Sequence, residues 1–259
     1  MDTRFWGPSG WKLLHLASYA YDEAFSPSYA NFFETIPYVL PCKFCRASLT
    51  DYYRVHPYSD EKGMIPTLDV KRWMYTIHNC VNGKLRKQGL HPEVNPTYAS
   101  VTQYYRTLYA APWGQQIQLL WDFLFAVAYH HPNVAVHSSP MPDCPKEVTC
   151  SSERNKWNVL PHRQRMYWYR RFWVFLPAVF PQELREKWQE VEKTNPPATD
   201  TRQTMMAWLW RMRCGLDTAF HDPYRTVCHK IAIHSSDCGT RKGGITCRGK
   251  TRKTKRGGK

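Results

Sequence analysis

Pro41-Cys42-Lys43-Phe44-Cys45, read together with Trp73-Met74-Tyr75-Thr76-Ile77-His78-Asn79-Cys80-Val81-Asn82, decides how this chain folds. The first stretch is a vicinal dithiol. The second has helical spacing, so His78 and Asn82, four residues apart, fall on one face. A lone Cys-x-x-Cys is half a zinc site, a redox pair or two small buried residues. A zinc ribbon needs a second such pair or a short-spaced His pair, and neither follows within the first 110 residues. A thioredoxin-like dithiol needs a preceding strand, whereas the flanks here have helical periodicity.

Outward from the dithiol, apolar residues recur at helical spacing. Leu13, Leu14, Leu16, Ala17, Tyr19 and Ala20 predict a first helix, with Ser9 as its N-cap after Gly7-Pro8. Tyr29, Phe32, Phe33, Ile36, Val39 and Leu40 predict a second, up to Pro41. The dithiol opens a third, from about Cys42 to Arg54, where the positive end of the helix dipole favours a thiolate. The fourth is expected to start at Pro66-Thr67, to carry Val70, Trp73, Met74, Ile77, Val81 and Leu85 on one stripe, and to stop at Gly89. A fifth opens at Asn95-Pro96 and carries Tyr98, Val101, Tyr104, Tyr105 and Leu108. The expected fold class is all-α, with residues 1–111 as one domain.

Beyond it, Trp113 to Tyr129 predicts a further apolar helix. Residues 131–162 are rich in Pro, Ser and His, contain Cys144 and Cys150, and read as an irregular insertion. Helical, aromatic-rich sequence returns over 163–194 and 200–220, giving a second helical domain over 112–236. Residues 237–259 form a basic, Gly-rich tail expected to be disordered.

The net charge of +15 sits largely in that tail, since residues 241–259 hold nine Lys and Arg and no acid. The tail reads as a solvated end, with binding to nucleic acid or an acidic partner as the lesser alternative. No stretch has the order of a signal peptide, and no apolar run is long enough to span a bilayer, so a soluble protein of a cytosol-like compartment is expected. Nine cysteines are many for a compartment that keeps thiols reduced, so a redox or metal role is expected for some.

One internal echo is present. Tyr29 to Pro41 resembles Tyr169 to Pro181, with Gln182 and Arg185 where Cys42 and Cys45 stood; Trp208 to Cys214 loosely follows Trp73 to Cys80, and Trp113-Gly114 follows Trp6-Gly7. Either the second half is a degenerate copy lacking the dithiol, or amphipathic Trp/Phe-rich helices resemble one another by composition.

Trp6-Gly7-Pro8-Ser9-Gly10-Trp11-Lys12-Leu13-Leu14-His15, Cys42-Lys43-Phe44-Cys45 and His78-Asn79-Cys80-Val81-Asn82 occur in the order and at the spacings of the Erv/ALR family of FAD-linked sulfhydryl oxidases. The resemblance covers residues 5–106 and is most like versions encoded by large DNA viruses. It implies a four-helix bundle with a short fifth helix that holds FAD, and a homodimer formed through the first helices. Gly7, Trp11 and His15 would touch the cofactor from the first helix, and His78, Asn79 and Asn82 from the fourth. Lys87 would be a phosphate partner and Tyr98 a stacking residue. The family commonly has a histidine where Thr76 stands. It also implies catalysis by Cys42 and Cys45, with Cys42 the more exposed sulfur facing the protein dithiol substrate and Cys45 facing the flavin, electrons passing to O₂ to give H₂O₂.

The same resemblance implies a second, shuttling cysteine pair, for which Cys144 with Cys150 and Cys238 with Cys247 are candidates. Cys214 and Cys228 are candidates for a structural bridge. Cys214, His221, Cys228, His229, His234, Cys238 and Cys247 crowd together in sequence but match no zinc-finger spacing, so no metal is assigned. The expected partners are protein dithiols and O₂, with a homodimer or a pseudo-dimer within the chain, no membrane, and a location in the host cytoplasm or a virion. The rival reading is a degenerate flavoprotein-like helical module for assembly, anchored by its basic tail.

Overall fold

A computed structural model describes residues 1–58, 69–90, 94–132, 160 and 162–235. Among these there is no strand, and every regular element is helical. The first five helices are α1 (Thr3–Tyr19), α2 (Ser26–Val39), α3 (Lys43–Val55), α4 (Val70–Lys87) and α5 (Tyr98–Tyr109). Then follow α6 (Trp113–Gln118), α7 (Trp121–Tyr129), α8 (His162–Phe175), α9 (Gln182–Thr194), α10 (Arg202–Leu216) and α11 (Tyr224–Ser235).

The helix starts follow side-chain caps that apolar spacing does not reveal. Asp2 rather than Ser9 caps α1, its carboxylate accepting from the Arg4 amide at 2.9 Å. Ser9 instead lies inside α1 and is buried; its hydroxyl donates to the Leu119 carbonyl at 2.8 Å and accepts from the Phe123 amide at 3.1 Å. That junction explains why the expected Trp113–Tyr129 helix is two helices, since the break at Leu119-Leu120 frees the carbonyl and amide that Ser9 bridges. Asp69 caps α4 through the Lys71 and Arg72 amides at 3.1 and 3.0 Å, so this helix starts later than expected; Pro66 and Thr67 lie outside the described residues. Gly89 ends it as predicted, with φ of +69° and its amide on the Arg86 carbonyl. Helix α11 was not predicted; it is held by Val227 and Ile231, both buried and four residues apart.

Helix α1 packs on α4, α5 and α7, while α2 packs on α3 and, most extensively, on α8. Helix α10 packs on α7, α9 and α11. The apolar core is continuous across residue 111, running from Leu13, Phe32 and Phe33 to Trp121, Trp173 and Trp208. The chain start is pinned to the last helix: the Asp2 amide donates to the His234 carbonyl at 3.0 Å and Phe5 stacks on the His234 ring at 4.2 Å. This fixes the N-terminal turn of α1, which forms one wall of the site.

Candidate functional site

Cys42 is the N-cap of α3 in extended conformation, and its carbonyl accepts from the Cys45 and Arg46 amides at 3.1 and 3.0 Å. The dithiol therefore occupies the first helical turn, as its sequence setting predicts. The expected exposures are reversed, however. Cys42 is 1 % exposed, whereas Cys45 is partly exposed and opens into a cleft. Cys42 lies where the end of α2 meets α3. The neighbouring Arg46 is 5 % exposed and donates to the Leu40 carbonyl at 2.7 Å. Burial pushes the Arg46 guanidinium below its usual range, while Tyr169 from α8 and the two cysteines act in the opposite sense.

Four rings from three helices meet on the other side of the cleft. Trp11 stacks face to face on His78 with centroids 3.8 Å apart and 10° between planes. His15 Nε2 lies 3.0 Å from His78 Nδ1, so one imidazole donates and the other accepts. The His15 ring also stacks on Tyr105 of α5 at 4.2 Å. Burial, and secondarily His78, lowers the His15 pKa to about 3, which keeps this ring neutral.

The cleft holds about 390 Å³ and is lined by Trp6, Gly7, Trp11, Cys45, Ser48, His78, Asn82 and Lys84 among others. A second cavity of about 250 Å³ is lined by Tyr75, His78, Asn79, Asn82, Tyr104 and Tyr105. His78 and Asn82 line both, so the two spaces flank one face of α4. This suits a long, flat ligand with one aromatic end beside Cys45 and a second aromatic end among the tyrosines. A flavin dinucleotide has that shape, and the walls fit it: mostly apolar surface with few polar groups, and the Trp6 Nε1 hydrogen buried with no hydrogen-bond partner. His15 Nδ1 is likewise buried and unpartnered.

Gly7, Trp11, His78, Asn79 and Asn82 thus line one or both cavities. His15 does not; it stands behind His78 and fixes that ring. Gly7 is not required by crowding, since a Cβ there would meet nothing within 4 Å. Lys87 is exposed and lines neither cavity; one turn earlier on α4, Lys84 reaches the cleft and donates to Ser48 Oγ at 2.5 Å. Tyr98 also lies outside both cavities, packed edge-on against Tyr75 with Arg72 over its ring at 4.3 Å. Ser48, Lys84, Tyr104 and Phe123 are lining residues that motif reading missed. Phe123 belongs to α7, so the second half of the chain contributes to the wall.

Cys144, Cys150, Cys238 and Cys247 lie outside the described residues, as does nearly all of the 131–162 insertion and the basic tail. Cys214 and Cys228 are separate thiols rather than a bridge. Cys228 instead lies against Tyr224, whose phenol is pushed up to about 12 by burial first and by Cys228 next. Among the described residues no three His, Cys, Asp or Glu side chains form a metal-binding group.

A model of the Erv1 / Alr family matches residues 8–104, which contain Trp11, His15, His78 and the Cys42/Cys45 dithiol. A protein of Acanthamoeba polyphaga mimivirus named "Probable FAD-linked sulfhydryl oxidase" is 33% identical over 98 residues, covering 36% of this chain and 68% of the relative. No solved structure matches. The dithiol at a helix start, the histidine–tryptophan stack across the cleft and these two matches coincide on the same five helices: the chain belongs to the Erv1 / Alr family.

Proposed function

We propose that the protein is a FAD-dependent sulfhydryl oxidase that makes disulfide bonds in protein dithiol substrates. The observation that carries this is the position of Cys45, the one thiol among the described residues that opens into a cleft walled by Trp11, His78 and Asn82. A substrate thiolate attacks the Cys42–Cys45 disulfide, one sulfur leaves as a thiolate, and the second substrate thiol resolves the mixed disulfide; the substrate is oxidised and the pair reduced. A bound FAD, held by Trp11, His78 and Asn82, would supply a two-electron acceptor for the reduced pair and a route onward to O₂ with H₂O₂ as product. Trp11 and His78 present a flat wall for a planar ring, His15 holds His78 in place, and Cys45 is the sulfur turned toward that ring.

The burial of Cys42 bears on the substrate side. A folded client cannot present a dithiol to a sulfur that is 1 % exposed, so a relay pair on a narrow segment is the fitting electron donor. Cys144 with Cys150 and Cys238 with Cys247 remain the candidates. The helices after residue 111 cover α1 and α2, the elements through which a second subunit would dock, and this supports a pseudo-dimer within the chain over a homodimer. No helix among the described residues is long and apolar enough to cross a membrane.

Purified protein should be yellow and consume O₂ when given a dithiol. Cys45→Ala should abolish the O₂ uptake while retaining the flavin. A colourless protein, or uptake that survives in Cys45→Ala, would sink this reading. The rival assembly-module reading would leave a decayed site filled with side chains, whereas the cleft beside Cys45 is open.

A further inference from the structure

We infer that residues 113–235 are a second, decayed copy of the bundle formed by residues 3–109, packed on the first across a two-fold axis inside one chain, and that its cofactor cavity is closed by aromatic side chains. This rests on the reading of the cleft beside Cys45 as a flavin site.

The copies match contact for contact rather than by composition. Trp73 Nε1 donates to the carbonyl of His56, the C-cap of α3, at 2.9 Å; Trp208 Nε1 donates to the carbonyl of Asn195, the C-cap of α9, at 2.8 Å. Phe33 meets Trp73 edge-on at 5.1 Å, and Trp173 meets Trp208 edge-on at 5.4 Å. Tyr29 is met edge-on by Tyr21, two residues past α1, and Tyr169 by His131, two residues past α7. Tyr98, which opens α5, packs on Tyr75 at 66°, and Tyr224, which opens α11, packs on Trp210 at 67°. Unrelated amphipathic helices would share aromatic content but not this sequence of partners.

The interface between the copies has the mark of a two-fold axis, at which equivalent residues meet each other. Helix α1 packs on α7 and α2 on α8. Phe32 lies 5.7 Å from its own counterpart Phe172, and Asn31 accepts a hydrogen bond from its counterpart Arg171. These contacts also correct the register of the echo at α1, whose counterpart is α7: Trp11 to Tyr19 corresponds to Trp121 to Tyr129 rather than Trp6-Gly7 to Trp113-Gly114.

In that register the second site is filled. Trp121 stands for Trp11, and Arg213, over the Trp121 ring at 5.5 Å, stands for His78. Ser48, small and at the cleft wall, is replaced by Trp188, which is fully buried and stacks on Trp121 at 6.4 Å. Leu85 is replaced by Phe220, which lies 3.8 Å from Arg213. Gln182 and Arg185 replace the two cysteines. The second copy has kept its outer helices as a partner for the first and lost the means to bind flavin or carry electrons.

The test is the mass in solution of the full-length, flavin-loaded chain, together with its flavin-to-chain ratio. One 30.6 kDa chain with one flavin, unchanged on dilution, is expected. A two-chain mass that persists on dilution, or two flavins per chain, would overturn the inference. Absence of any flavin would instead sink the reading of the cleft, while the mass would still decide whether the second half replaces a subunit. As an independent check, Asn31→Cys combined with Arg171→Cys should crosslink within one chain under oxidation. Asn31→Cys alone should give no more covalent two-chain species than the parent; a covalent dimer from that single variant would place the axis between chains.

Discussion

The indole of Trp11 lies parallel to the imidazole of His78 at 3.8 Å, and His78 in turn is fixed from behind by His15 through a 3.0 Å nitrogen–nitrogen hydrogen bond. Two helices are thereby held in register at the cleft wall, and the neutrality of His15 has a consequence for pH.

The His15 pKa is about 3 in the folded chain against an ordinary 6.5, so between those values the unfolded chain binds a proton that the folded chain refuses. The stability from this group is full above the ordinary value and is lost as the pH falls toward the folded one. The limit is on the order of 4 to 5 kcal/mol. His130 and His131, each lowered to about 4 chiefly by burial, act in the same direction. Thermal melts at neutral and mildly acidic pH should show a steep acid-side loss that His15→Phe makes shallower. An unchanged slope in that variant would remove His15 from the account.

Gly10 and Gly7 should respond oppositely to alanine. A Cβ on Gly10 would lie 3.0 Å from the Phe123 ring, so Gly10→Ala overpacks the α1–α7 contact and should cost about 1 to 3 kcal/mol. It should also disturb the cleft wall that Phe123 forms. Gly7→Ala, with open space around its Cβ, should be neutral or stabilising by about 0.5 to 1 kcal/mol from helix propensity. Urea denaturation measures both, and flavin content shows whether Gly7→Ala blocks binding on its own account.

Trp73→Phe and Trp208→Phe each remove an indole donor from a helix C-cap carbonyl, and each should lower stability by about 1 to 2 kcal/mol. Equal losses in denaturation are expected. Only Trp73→Phe should hasten flavin release, because its helix also carries His78 and Asn82.

Arg46 places a buried positive charge beside the dithiol. Arg46→Gln should slow dithiol-driven O₂ uptake at neutral pH and move the rate profile toward higher pH, by about tenfold in rate for each unit of displacement. Stopped-flow reduction of bound flavin across a pH series measures this. A uniform drop with no displacement would assign Arg46 a packing role through Leu40 instead.

How much of this was legible in the sequence differs from element to element. The helix around Trp73 and Ile77, its stop at Gly89 and the dithiol at a helix start were readable, because apolar periodicity and the backbone freedom of glycine are properties of neighbours in the chain. The Ser9 cap and the single Trp113–Tyr129 helix were misread, because Ser9 is satisfied by Leu119 and Phe123, more than a hundred residues away. Lys84 and Ser48 escaped notice because their pairing joins α3 to α4 and leaves no trace in spacing.

An all-helical chain of this family, one dithiol, and one helical face carrying His78 and Asn82 are readable from the residues alone. Local spacing and residue chemistry suffice for those. Only the tertiary structure decided that Cys45 rather than Cys42 opens into the cleft, and that His15 supports His78 instead of lining the site. It also decided that the aromatic residues after Trp113 meet in the same pairs as those before it. Burial and ring contacts are set by which surfaces meet in space, and the echo between Tyr29 and Tyr169 became readable only when Phe32 was found against Phe172.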